Sequence, residues 1–156
     1  MADVARFFAS SRGVSPVFAY ALTLGIGTIL VAGLVIAATG YVDSQRELTA
    51  QSELQVFGQQ VSADLAAADR LSRIPAEGET EITRDLPTRA VGSQYSIHLR
   101  NDGAGPTNPY LELTMQEPDV EVQVGVAIES DVTEATVSGG TIIISADDGQ
   151  LVMRNG

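Results

Sequence analysis

Val17–Tyr41 reads VFAYALTLGIGTILVAGLVIAATGY, and not one of these residues carries a charge. The charge-free interval is wider still, bounded by Arg12 on one side and Asp43 on the other. About 18 consecutive apolar residues are enough to signal a spanning helix. At about 1.5 Å per residue the run covers roughly 37 Å, which crosses a hydrocarbon core of about 30 Å with some tilt. A helix buried in a soluble core is the competing reading, but such helices rarely lack a polar face over about seven turns. The run therefore predicts a single membrane-spanning helix with lipid around it.

Its flanks predict an orientation. A cleaved secretory signal has an apolar stretch of roughly 7–15 residues and then a small-residue cut site. This run is too long, and no clear small-x-small site follows it. The leader Met1–Gly13 carries Arg6 and Arg12 against Asp3, whereas the chain beyond the run is strongly acidic. The positive-inside rule then places the N-terminus in the cytoplasm and the C-terminal part outside the cell.

The junction Ser11-Arg12-Gly13-Val14-Ser15-Pro16-Val17 is where a family resemblance enters. A basic residue, a glycine, and Val-Ser-Pro opening the apolar helix resemble the class III signal peptide of archaeal type IV pilins, haloarchaeal ones especially. The stretch Tyr41–Ile74 is also similar to haloarchaeal pilin-type proteins. The resemblance implies that a prepilin peptidase takes the chain as substrate and cuts between Gly13 and Val14. The site would comprise Arg12, Gly13, Val14, Ser15 and Pro16, and the apolar helix would be retained. It further implies assembly with itself or other pilins into a surface filament serving adhesion. Bacterial major pilins carry Glu at the fifth mature position, where this chain has Phe18; archaeal pilins commonly lack that Glu. Local chemistry fits a helix start as well, since Ser15 can cap and Pro16 suits the first helical position.

Small residues are dense inside the run. Ala21 with Gly25, and Gly33 with Ala37, form small-xxx-small pairs of the kind that let helix backbones approach in an apolar medium. A glycine inside a helix costs about 1 kcal/mol relative to alanine in water, so the glycines of this run predict a packing role.

Beyond the run, Ser44–Ile74 contains no proline, and Leu54, Phe57, Val61, Leu65, Ala68 and Leu71 recur at helical spacing. Gln51, Glu53, Gln59, Asp64, Asp69 and Arg70 are assigned to the opposite face, and Gly58 is read as a place where the helix can bend. After Pro75 the period changes to two. Tyr95, Ile97 and Leu99, then Leu111, Leu113 and Met115, then Val120 through Ile128 alternate with polar residues, between turns rich in Gly, Pro, Asn and Asp. Ile142–Ile144 and Leu151–Met153 read as the last two strands. The expected fold is α+β: a long N-terminal helix, then six or seven short antiparallel strands in a small sheet or sandwich. Its parts are a leader 1–13, a transmembrane assembly helix 14–42, an amphipathic extension 43–75 and an extracellular acidic β domain 76–156.

Twenty Asp and Glu face nine basic residues, all of them Arg, for a net charge of −11. Such a surface argues against nucleic acid, where affinity rests on Lys and Arg meeting phosphate. It suits a salt-loving organism, because at about 1 M salt the Debye length falls to about 3 Å and dense carboxylates repel little. With no Cys and the single His98, no zinc site of the usual kind is expected. His98 is read as a solvated surface residue. No nucleophile elbow, P-loop or dinucleotide fingerprint is present, so neither enzyme activity nor a cofactor is expected. The alternative to a filament subunit is a single-pass anchor that presents a β-domain binding module at the cell surface.

Overall fold

The computed structural model describes residues 16–74, 80–147 and 150–156. Helix α1 runs Pro16–Ser72, and eight strands follow among the described residues. They are β1 (Thr80–Asp85), β2 (Tyr95–Arg100), β3 (Tyr110–Gln116), β4 (Asp119–Gly125), β5 (Asp131–Val132), β6 (Ala135–Ser138), β7 (Thr141–Asp147) and β8 (Gln150–Asn155). The fold is α+β, as the change of period from helical to alternating predicts. The chain divides into two compact units, Met1–Val42 and Asp43–Gly156.

In the second unit the strands form two four-stranded sheets, ordered β1-β7-β8-β5 and β4-β3-β2-β6. All pairings are antiparallel except β5 with β8, which run parallel through Asp131–Gln150 and Val132–Leu151. An all-antiparallel expectation is therefore corrected to one mixed sheet. β1, β5 and β6 were not legible as strands: β1 carries one large apolar residue, Ile82, β5 is two residues long, and β6 is four. Val126 and Ile128 lie beyond β4, because the strand ends at Gly125. There the Val126 N–H turns to Pro109 O at 3.3 Å and Thr107 Oγ1 at 3.0 Å.

Alternation puts one face of each sheet into a shared core. Ile97, Leu99, Leu111, Leu113 and Val137 from one sheet meet Ile142, Ile144 and Leu151 from the other. Asn155 of β8 stitches the sheets along one side. Its side-chain amide donates to Ser138 O at 3.1 Å and accepts from Ser138 N–H at 3.2 Å, completing the free edge of β6 as a neighbouring strand would.

Residues 43–72 of α1 pack against the edge strands β1 and β4. Ala50, Leu54, Val61, Leu65 and Ala68 are fully buried at helical spacing. Gly58 lies in the same stripe and is no hinge. A Cβ there would stand 2.7 Å from Val124 Cγ2 and 2.8 Å from Leu113 Cδ1, so the missing side chain lets the helix backbone approach β3 and β4. Ser62 Oγ donates to Gly125 O at 2.9 Å at the end of β4. Phe57 stacks on Tyr95 with ring centroids 5.3 Å apart, and the Tyr95 hydroxyl donates to Pro87 O at 2.7 Å. Burial pushes the Tyr95 phenol up to about 12.

Three acidic residues assigned to the solvent face turn inward instead. Asp64 is 7% exposed and takes two hydrogen bonds of 2.5 Å from Arg84 on β1. Asp69 is 3% exposed; it accepts from Ser130 N–H at 3.0 Å and Glu129 N–H at 3.4 Å, and pairs with Arg73. Glu53 is half-buried and accepts from Val91 N–H at 3.0 Å. Periodicity alone could not place these side chains, because every partner except Arg73 arrives from the β domain. Leu71, expected in the apolar stripe, is 46% exposed at the last turn of the helix.

Candidate membrane and packing surface

The apolar run forms the described part of the first unit, Pro16–Val42, with Pro16 as the first helical residue. Arg12, Gly13, Val14 and Ser15 of the expected cut site lie outside the described residues. α1 is long and apolar enough here to cross a membrane, and none of the side chains in its most apolar stretch is buried. Leu34 is 72% exposed and Ile36 is 74% exposed.

The threonine hydroxyls on this surface are satisfied within the helix. Thr23 Oγ1 donates to Ala19 O at 2.9 Å, Thr28 Oγ1 to Leu24 O at 2.8 Å, and Thr39 Oγ1 to Val35 O at 3.0 Å. A hydroxyl bonded back to the i−4 carbonyl needs no water, which suits apolar surroundings.

The pairs Ala21/Gly25 and Gly33/Ala37 each share a face, being four residues apart. At about 100° per residue the two pairs lie roughly 120° apart around the helix. They therefore address two directions rather than one seam. A Cβ placed at Gly25, Gly27, Gly33 or Gly40 meets nothing within 4 Å, so the backbone is open at all four. A depression on this surface lies elsewhere, over Gly27, between Tyr20, Thr23, Leu24, Thr28, Val31 and Ala32. Thr23 and Gly27 have the same four-residue spacing, so the signal was present. Threonine stands there where the other two pairs have alanine.

The second unit carries a polar groove of about 720 Å³ over the end of β2 and β3, whose lining includes Arg89, Ser93, Gln94, Ser96, Gln116 and Ser138. His98 lies half-buried on the outward face of β2, with Nδ1 3.0 Å from Thr136 Oγ1 and Nε2 3.3 Å from Thr114 Oγ1. Two strand neighbours thus engage a residue expected to be solvated. Among the described residues no three His, Asp or Glu side chains are placed to hold a metal ion.

Fold and surface together define a class: an α+β protein with, among the described residues, one helix apolar enough to cross a membrane and a two-sheet β domain. The chain belongs to DUF7266, a family of unknown function, whose model matches residues 9–154 and so takes in parts of both units. No curated protein and no solved structure matches it.

Proposed function

We propose that this chain is a type IV pilin-like subunit of an archaeal surface filament. A prepilin peptidase cuts it after Gly13, on the cytoplasmic side. The retained helix holds it in the membrane with the acidic β domain outside, and then packs against other pilins or copies of itself. What carries this reading is the helix surface from Val17 to Val42: exposed, apolar all round, internally hydrogen-bonded, and open at glycines that face more than one direction. A lone anchor has no need of open backbone on two sides, whereas a helix with several neighbours does.

A second reading, an anchored binding module outside any filament, draws support from the polar groove beside β2 and β3. The two separate on the N-terminal residue of the protein recovered from its native host, read by mass spectrometry of its most N-terminal peptide. A start at Val14 supports the pilin-like subunit. A start at Met1 or Ala2 overturns it and leaves the anchored module.

A further inference from the structure

The four tyrosines of the chain fall into two kinds. Tyr95 and Tyr110 are buried in the β domain, at 3% and 2% exposure. Tyr20 and Tyr41 stand on the apolar helix, at 72% and 67% exposure, and among the described residues their hydroxyls meet no partner. The threonines between them solve the same problem locally by donating to their own helix. A tyrosine hydroxyl stands too far out from the helix to do that. In hydrocarbon it would lack a hydrogen bond, so it belongs where water or headgroups reach it.

Tyr41 lies twenty-one positions after Tyr20, a rise of about 31 Å, which matches a hydrocarbon core of about 30 Å. We infer that Tyr20 and Tyr41 set the depth of the helix in a lipid bilayer, one hydroxyl in each headgroup layer, with residues 21–40 in the hydrocarbon. This rests on the membrane reading proposed above and adds a register to it. Apart from the three internally bonded threonine hydroxyls, no side chain from residue 21 to residue 40 carries a polar group. Aromatic side chains with an apolar body and a polar tip collect at both membrane–water interfaces for this reason.

The chain contains no tryptophan, so one introduced tryptophan is the only indole reporter. The full chain would be made as Tyr20→Trp, Tyr41→Trp and Leu30→Trp. Each is reconstituted in phosphatidylcholine vesicles brominated either near the headgroup or near the chain end. Emission of the Tyr20→Trp and Tyr41→Trp variants is expected to be lost mainly to headgroup-proximal bromine, and that of Leu30→Trp mainly to chain-end bromine. If either tyrosine-site variant is quenched more by the chain-end bromine, the register is overturned while the membrane reading stands. Absence of quenching in all three variants overturns the register too. Vesicle flotation then separates a protein left in water, which also counts against the membrane reading, from an inserted helix covered by a second copy.

Discussion

Arg84 on β1 grips Asp64 on α1 in a two-pronged ion pair, Nε to Oδ2 and Nη2 to Oδ1, each at 2.5 Å. The carboxylate is almost wholly enclosed while the guanidinium is 43% exposed, so the pair is asymmetric. Removing the arginine strands a buried charge, which is worse than removing both charges together. Arg84→Met should lower the urea unfolding midpoint of the detergent-solubilised chain. The double variant Asp64→Asn with Arg84→Met should recover most of that loss. A double variant as unstable as Arg84→Met would show that the pair is not what ties β1 to the helix.

Asp69 makes a second tie, and its pH dependence has a definite sign. Burial pushes its carboxyl up, but hydrogen bonds from Ser130 and from the Glu129 N–H, with the Arg73 guanidinium, outweigh that and hold it below the usual carboxylate range. A carboxyl lowered on folding contributes stability that is complete above its unfolded value and is lost as pH falls through the folded one. Asp69→Asn should therefore be less stable than the parent near neutral pH. The gap should close below about pH 4, because a protonated Asp69 no longer favours the folded state. Chemical unfolding at a series of pH values reads this, and a gap that stays constant into acid would contradict it.

Gly58 is set by two opposed effects. Alanine would gain up to about 1 kcal/mol of helix propensity. Its Cβ would also press on Val124 and Leu113 below 3 Å. Overpacking of a filled core costs about 1–3 kcal/mol, so packing wins. Gly58→Ala should destabilise by about 1 kcal/mol and Gly58→Leu by about 3 kcal/mol or more. A stabilised Gly58→Ala variant would mean that the helix and β3–β4 are not in close contact.

These positions show how far pattern reading reaches. Leu54, Val61, Leu65 and Ala68 were legible as a buried stripe because burial of an apolar face follows helical period. Gly58 belongs to that stripe but has no side chain to declare itself, so it read as a weak point. Asp64 and Asp69 were misplaced because a carboxylate is buried only when a partner arrives, and Arg84 and Ser130 are distant in sequence. The helix apolar enough to cross a membrane was legible, since it depends on composition and spacing within one segment. The parallel β5–β8 pairing was not, because two residues carry no period.

Val91 has φ of +48° and Gly92 of +85°, and Ala90 and Ser93 exchange both backbone hydrogen bonds at 2.9 Å. That is a two-residue hairpin turn of type I′, in which Asn-Gly is strongly preferred and a β-branched residue is strained. Left-handed backbone costs an ordinary residue about 1–2 kcal/mol, part of which Val91 offsets by packing against the core. Val91→Asn should stabilise the protein by about 0.5–1 kcal/mol, since it keeps the N–H that Glu53 accepts. Thermal unfolding of the two proteins side by side checks the sign, and a lower midpoint for Val91→Asn would mean that the valine packing outweighs the strain.

Gly33 tests the assembly surface without touching the β domain. Nothing lies within 4 Å of a Cβ placed there, so Gly33→Leu should leave helix formation and membrane insertion intact. The same substitution fills the open backbone on the Gly33/Ala37 face, where a neighbouring helix is proposed to approach. Filaments in sheared surface fractions of a host carrying only Gly33→Leu should fall at least about tenfold, since about 1.4 kcal/mol lost per contact is already a factor of ten. Membrane-bound protein should stay at parental levels, which separates failed assembly from failed insertion. Leu30→Ala, in the same exposed apolar segment but adding no bulk, should leave assembly close to normal. Normal filaments from Gly33→Leu would remove close helix approach at that face from the proposal, leaving the Ala21/Gly25 face and the depression over Gly27 as the surfaces to alter next.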